Sequence, residues 1–328
     1  MTQTQSGSAS RPSRAKVILA FAAIYIIWGS TFLGIRYAIE TLPPFLMAGA
    51  RFSLAGGGMF AWAKLNGDKG GWSWPQWRRA FLIGALLLLC GNGGVTWAEK
   101  YIASGLVALL VATEPLWVVV LNWAITRRRP NAKVLFGVLI GLVGVGLLIG
   151  AGGLNNGADV SWLSLAGAGV VILAGLAWAG GSVYANYRPI KATTSLTAGM
   201  EMLSGGSLLL LLGLLVGDFG RLNLAGISRV SVVAFTYLVI FGALGFTAYS
   251  YLLQNVSTAR AATYAYVNPA VAVFLGWLVA NEPLTMQMLM AASVIVGSVA
   301  LITTYGGEHA TSGADELHDS QCSTYPCA

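Results

Sequence analysis

The stretch LLVATEPLWVVVLNW, Leu109 to Trp123, is apolar at almost every position except its centre, where Glu114 and Pro115 stand side by side. A run of this length and composition reads as a helix that crosses lipid. A carboxylate in hydrocarbon costs at least about 2.5–3.5 kcal/mol on insertion scales, so such a group faces a bundle interior or water. Proline deletes one helical N–H and releases the carbonyl four residues earlier. The pair therefore predicts a kink and a polar group at mid-depth of a membrane helix.

The rest of the chain supports that reading. Of 328 residues, 56% are hydrophobic and 9% charged, and the mean hydropathy is +0.71. An average soluble domain carries roughly 25% charged residues, so there is too little charge here to coat a water-soluble sphere. Ten apolar runs follow one another, at about 17–38, 44–63, 80–98, 103–124, 133–151, 163–186, 196–216, 230–253, 258–280 and 286–304. Each approaches the ~20 residues a helix needs to cross ~30 Å of hydrocarbon. None shows the two-residue alternation of a barrel strand, and in lipid every backbone amide must be satisfied within its own segment. The expectation is an all-α polytopic membrane protein with ten transmembrane helices. The first run follows Arg11, Arg14 and Lys16 as a signal peptide would, but it is too long and lacks a small-residue cleavage site, so it reads as a retained helix.

The net charge of +7 is a topology signal, not a sign of nucleic-acid binding. With a cytoplasmic N-terminus and ten crossings, fourteen Lys and Arg fall in cytoplasmic segments and four (Arg36, Lys100, Arg221, Arg229) on the other side, while Arg51 lies within the second helix. That is the positive-inside bias, and it puts both termini in the cytoplasm. The tryptophan-rich GWSWPQW at 71–77 reads as an interfacial anchor. Cys90, Cys322 and Cys327 form no disulfide framework. The 306–328 tail is too poor in apolar residues to fold by itself and is expected to be disordered.

The halves resemble one another. Trp28 in IIWGSTF matches Trp178 in LAWAGGS at an offset of 150, which sets Arg51 against Glu201. Glu114–Pro115 in ATEPLW matches Asn268–Pro269 in YVNPAV at 154, Trp97 falls on Tyr251, Ser104 on Thr258, and Gly144 on Gly297 at 153. Five helices repeated give a second copy of inverted topology, an arrangement in which secondary transporters share a midplane site. The organisation expected is a cytoplasmic segment 1–16, a five-helix repeat 17–151, an extracytoplasmic connection 152–162, a second repeat 163–305 and a cytoplasmic tail 306–328.

Together, IIWGSTF in helix 1, MAGARF in helix 2, TEP in helix 4, NP in helix 9 and NEPLT before helix 10 resemble the drug/metabolite transporter superfamily. Within it the chain is similar to the EamA-type permeases, which include YddG-like and RhtA-like amino-acid exporters. The resemblance covers about residues 17–305. It implies a multi-pass permease of the bacterial inner membrane that exports amino acids or related small metabolites.

The candidate substrate-binding residues follow from the spans. Arg51, Glu114 and Glu201 are the strongly ionisable side chains well inside them. At ~1.5 Å per residue Glu114 lies about 16 Å deep and Arg51 about 10 Å, so the two are expected to face one cavity, in reach of an ion pair. In the inverted half Glu201 falls on the cytoplasmic side of Asn268. Pro115 and Pro269 are expected to kink their helices and free the carbonyls of Val111 and Ala265. Tyr264 shares the face of Asn268 one turn earlier. Trp28 and Trp178 lie near mid-depth, and Asn92 and Trp97 belong to the glycine-rich CGNGGVTW. For each aromatic the alternative is ordinary packing, and for Glu114 a structural hydrogen bond to a neighbour. Gly137, Gly141, Gly146 and Gly150 have G-x-x-x-G spacing. Packing within one chain is preferred to a dimer face there, and a monomer to a dimer.

Other classes of function fit less well. The only histidines, His309 and His318, lie in the tail, and no zinc-protease, nucleophile-elbow or P-loop motif is present. Enzyme chemistry, a metal site, a cofactor and an ATP-driven pump are therefore not expected. A receptor or scaffold would need no polar midplane on matched helices. Uptake instead of export stays open, since a carrier runs down gradients.

Overall fold

In the computed structural model the described residues are 13–70, 73–102, 104–127, 129–150, 162–280 and 286–305. The expected tail, most of the N-terminal segment, nearly all of the 152–162 connection and the NEPLT motif lie outside them.

Helices account for nearly all of the described residues, and no strand occurs among them. They are α1 (Arg14–Ala38) and α2 (Pro44–Leu65), then α3, which runs from Trp74 to Ala98 through a π-helical stretch at Ala85–Asn92. The fourth is split into α4a (Ser104–Val111) and α4b (Glu114–Thr126). There follow α5 (Ala132–Gly150), α6 (Trp162–Tyr187), α7 (Thr194–Leu215) and α8 (Arg229–Asn255). The ninth is split into α9a (Thr258–Ala261) and α9b (Tyr264–Ala280), and α10 is Met286–Tyr305. Among the described residues, five helices are long and apolar enough to cross a membrane: α1, α3, α6 from Leu165, α7 and α8. The pattern of exposure is that of a lipid-dissolved protein. Large apolar side chains such as Leu19, Ile26, Leu54, Leu173 and Leu214 face outward, while Arg51, Glu114, Glu201 and Asn268 are buried.

The two halves are related by a two-fold, visible residue by residue at an offset of 150. Helices α2 and α7 cross through glycines. A Cβ on Gly49 would meet Leu210 and one on Gly199 would meet Phe60, the equivalent pair; one on Gly56 would meet Leu203, and one on Gly206 would meet Ser53. Contacts that pair rising numbers with falling ones mean that α2 and α7 run antiparallel. The same holds for α5 and α10, where Gly137, Gly141 and Gly144 lie against Ile302, Ser298 and Ile295. The equivalent helices of the two repeats thus run in opposite directions. The contacts exchange accordingly: α1 packs on α8 and α9b, and α6 on α3 and α4b.

The same register organises the helix ends. Gly67 and Gly217 end α2 and α7 with φ of 85° and 77°, the left-handed backbone that glycine adopts without strain. The aspartate after each caps a helix of the other repeat. Thr193 donates its N–H and hydroxyl to Asp68 Oδ2, at 3.2 and 2.5 Å, and Phe45 and Leu46 donate their N–H groups to Asp218 Oδ2, at 3.0 and 3.3 Å. A carboxylate there accepts orphan N–H groups and faces the positive end of a helix dipole.

The two splits are also equivalent. Thr113 and Thr263 each turn their N–H and hydroxyl back to a carbonyl three residues earlier: Thr113 to Leu110 at 3.1 and 2.7 Å, Thr263 to Arg260 at 3.2 and 2.7 Å. The prolines do not share that symmetry. Pro115 sits in the first turn of α4b, where its missing N–H has no intrahelical partner to lose. Pro269 lies inside α9b. The expected kink at Pro115 is therefore a break one residue ahead of Glu114, and the match of Glu114–Pro115 with Asn268–Pro269 is one turn out of the structural register.

The G-x-x-x-G glycines divide. Gly137 and Gly141 pack on α10 and α9b within the chain, and Gly146 meets nothing within 4 Å. At the anchor, Trp74 is exposed and Trp77 packs against Phe60 with ring centroids 5.9 Å apart.

Candidate transport site

Seven helices surround a cavity of about 80 Å³. Its walls are mostly apolar, from Phe32, Ile35, Phe52, Val95, Ala174 and Phe246, and its polar groups stand at two poles.

At the first pole Arg51 of α2, 4% exposed, donates from Nη2 to Asn92 Oδ1 at 2.9 Å. Asn92 closes the π-helical stretch of α3, and Thr96 one turn on donates to the same oxygen at 3.3 Å. The guanidinium carbon stands 4.3 Å from the centroid of the Phe52 ring. Nε and Nη1 of Arg51 are buried with no hydrogen-bond acceptor. The second pole is Glu114, which the α4 break places at the start of α4b. Tyr264, its equivalent in the other repeat, donates its hydroxyl to Glu114 Oε2, whereas Oε1 has no partner. Asn268, one turn after Tyr264, is buried with its Oδ1 unpartnered.

Between the poles and the opposite end of the bundle lies an aromatic floor. Trp28 meets Trp178 edge-on at 5.5 Å and Tyr264 edge-on at 4.7 Å, and Tyr249 lies 5.0 Å from Trp28. Each indole occupies a notch left by a glycine: a Cβ on Gly245 would lie 2.6 Å from Trp28 Nε1, and one on Gly91 would lie 2.7 Å from the Trp178 ring. Tyr249 locks the floor, accepting from Trp178 Nε1 at 3.1 Å and sharing a 2.6 Å hydrogen bond with Ser182.

Trp28, Arg51, Asn92, Glu114, Trp178, Tyr264 and Asn268 thus line one cavity. The other two candidates lie elsewhere. Trp97 is five residues past Asn92, roughly 140° around the helix; it packs on Tyr101 at 4.9 Å and borders an outer groove with Phe45 and Cys90. Glu201 lines a separate pocket nearer the other end of the bundle. The anticipated Arg51–Glu114 ion pair does not form, because Asn92 is the group within reach of the guanidinium.

Two site residues escaped the sequence reading. Tyr249 sits in an apolar run where an aromatic looks like packing. Glu99 falls one residue beyond the assigned third span, yet it is 1% exposed. Both its carboxylate oxygens lack hydrogen bonds, and it interacts electrostatically with Arg51 and Arg36. The signal for Glu99 was present: an acidic residue one turn from Val95, on the cavity face of α3.

A buried polar cavity in an inside-out helical bundle of two matched repeats defines a multi-pass membrane protein that handles a small molecule. The EamA-like transporter family matches residues 15–150 and again residues 165–304, and the chain belongs to that family. The drug/metabolite transporter superfamily fits it too, and a membrane transporter is what the family makes it. A protein of Escherichia coli strain K12, named as the uncharacterized inner membrane transporter YedA, is 39% identical over 293 residues, 87% of this chain and 89% of that one. The uncharacterized transporter YvbV of Bacillus subtilis strain 168 is 25% identical over 298 residues, 89% and 92% of the two chains. A solved crystal structure matches with a TM-score of 0.71 at 20% identity, covering 89% of this chain and 98% of that one, a likeness of fold.

Proposed function

We propose that the protein is a secondary transporter that exports amino acids, or metabolites with the same two charged heads, across the bacterial inner membrane by alternating access. All ten helical units cross the bilayer in this reading, as two inverted five-helix repeats with both termini cytoplasmic and residues 152–162 outside, and the carrier works as a monomer. The observation that carries it is the two-pole cavity. Arg51 offers two donor nitrogens without acceptors, and Glu114 and Asn268 offer two acceptor oxygens without donors. A molecule bearing a carboxylate and an ammonium satisfies both poles, and its side chain meets the apolar walls. Arg suits the carboxylate because its planar fork binds one in bidentate fashion. The resemblance to YddG-like and RhtA-like exporters points to the same cargo.

The alternating step follows from the two-fold. A floor made by equivalent residues of two opposed repeats can close toward either side while its centre stays in place. Outward export then draws on the cytoplasmic excess of the cargo.

The test is counterflow in liposomes containing only this protein, with labelled amino acids, nucleobases and sugars. Exchange of amino acids, blocked by zwitterions more strongly than by simple amines or acids, is expected. Exchange of sugars or nucleobases with no amino-acid signal overturns the cargo, and absence of any exchange overturns the carrier in favour of a receptor or scaffold.

A further inference from the structure

The second pocket lies between α3, α6, α7 and α8, near the end of the bundle that carries the Asp68–Thr193 cap. Glu201 is its charged group, 3% exposed. Ser250 donates to Glu201 Oε2 at 3.2 Å. Thr197, one turn before Glu201, lines the same pocket with a buried hydroxyl that has no hydrogen-bond partner. Gln254 stands at the rim, and Ile83 and Leu253 close the sides. Among the described residues no Lys, Arg or His pairs with Glu201.

A buried carboxylate without a cation leaves its desolvation uncompensated. The pocket supplies what a primary ammonium needs: a carboxyl group that the cation would hold ionised, the Thr197 hydroxyl one turn away on α7 and the Ser250 hydroxyl across on α8, oxygens able to accept its three N–H donors. The pocket has a volume of about 10 Å³ against about 80 Å³ in the main cavity, room for a single water-sized group such as an ammonium head, with its stem directed to the rim at Gln254. The two-fold gives the site its place. Glu201 is the equivalent of Arg51 at the offset of 150, so one repeat presents a cation and the other an anion at matched positions.

We propose that Glu201, Thr197 and Ser250 form a second binding site, for a primary ammonium group, separate from the main cavity and on the opposite side of the aromatic floor. It rests on the reading of the cargo as amine-bearing: the site receives the ammonium head on the cytoplasmic side before the cargo passes Trp28 and Tyr249 to Glu114.

The experiment is calorimetric titration of ethylammonium chloride, with tetramethylammonium chloride as control, into purified full-length protein. The Glu114→Gln background removes the amine pole of the main cavity. Ethylammonium is expected to bind that variant still, tetramethylammonium is not, since it has no N–H to donate, and Glu114→Gln/Glu201→Gln is expected to bind at least ~10-fold more weakly. Thr197→Val on the Glu114→Gln background, which keeps volume and carboxylate, is expected to lose roughly 3-fold, and it gives the answer should the double variant fail to fold. Loss of all ethylammonium binding in Glu114→Gln, equal binding with and without Glu201, or equal binding of tetramethylammonium overturns the site. Amino-acid counterflow measured on the same protein is a separate readout: its absence overturns the cargo and leaves the titration to decide the site.

Discussion

Arg51 and Glu114 are legible in the sequence for one reason: a charge is rare in hydrocarbon, so each one present asks for a partner. What the sequence does not carry is which partner. Depth alone brings the two within reach, and azimuth decides otherwise, since Asn92 meets Arg51 and Tyr264 meets Glu114. A double-mutant cycle reads this directly. Arg51→Gln with Asn92→Ala should show a coupling energy of about 0.5–3 kcal/mol in thermal or denaturant stability, and Arg51→Gln with Glu114→Gln should be additive within ~0.5 kcal/mol. For transport, Glu114→Gln should reduce amine-bearing cargo more than neutral analogues, and Asn268→Leu should reduce both, because it removes donor and acceptor alike. Initial rates in proteoliposomes, normalised to folded protein, decide between the two patterns. Parent-like rates in both variants would make these positions structural. Glu99 and Tyr249 are passed over for opposite reasons: Glu99 carries a legible charge but lies a residue past a span boundary, and Tyr249 stands among aromatics that usually only pack.

At the scale of elements, apolar length locates the helices and proline locates the breaks, but only to within a turn. Glu-Pro and Asn-Pro align the repeats at an offset of 154, because prolines stand out. The structural register is 150, carried by quieter residues: Ala-Thr-Glu against Ala-Thr-Tyr at the breaks, and Gly-Asp against Gly-Asp after α2 and α7. Those aspartates make a prediction. Asp218→Asn and Asp68→Asn each remove a charge-assisted cap between repeats and should lower stability by about 0.5–2 kcal/mol, with the buried Asp218 at the upper end. Asp68 adds a pH signature. The Thr193 hydroxyl beside it, helped by backbone N–H groups, holds its carboxyl below the usual carboxylate range. A depressed acid stabilises the fold above its unfolded value of about 3.9 and loses that contribution as pH falls through the lower, folded value. Melting temperature should therefore drop on acidification below about pH 4 in the parent, less so in Asp68→Asn; identical pH profiles would mean that the cap carries no charge contribution. The α2–α7 crossing gives a harsher test. Gly56→Val would drive a side chain into the Leu203 backbone nitrogen, which lies 2.7 Å from where a Cβ on Gly56 would stand. It should cost about 1–3 kcal/mol or more, whereas Gly58→Val, which meets nothing within 4 Å, should be tolerated.

For the whole molecule, the two-fold and the charge distribution are independent witnesses to one arrangement. The contacts of α2 with α7 and of α5 with α10 run antiparallel without reference to any membrane, and the basic residues sort to one side without reference to any contact. The contacts give the relative direction of the repeats, and the charge bias gives the proposed orientation, with the 64–79 and 126–133 loops in the cytoplasm. The inversion also explains why the site is chemically lopsided: a two-fold relates backbones, and each position then diverges by itself, so that Arg51 stands opposite Glu201 and Glu114 opposite Tyr264. The prediction belongs to this scale because no single residue determines it. With Cys90, Cys322 and Cys327 replaced by alanine, single cysteines at Asn66 and Asn131 should resist a membrane-impermeant thiol reagent in intact cells and react after the membrane is opened. A cysteine at Leu224, in the turn after α7 and 74% exposed, should react in intact cells. Cysteines at Asn66 and Leu224 that react from the same side would place the C-terminal ends of α2 and α7 on one face of the bilayer. No two-fold in the membrane plane could then relate the repeats, and the shared floor of Trp28 and Trp178 would have no second side to open toward.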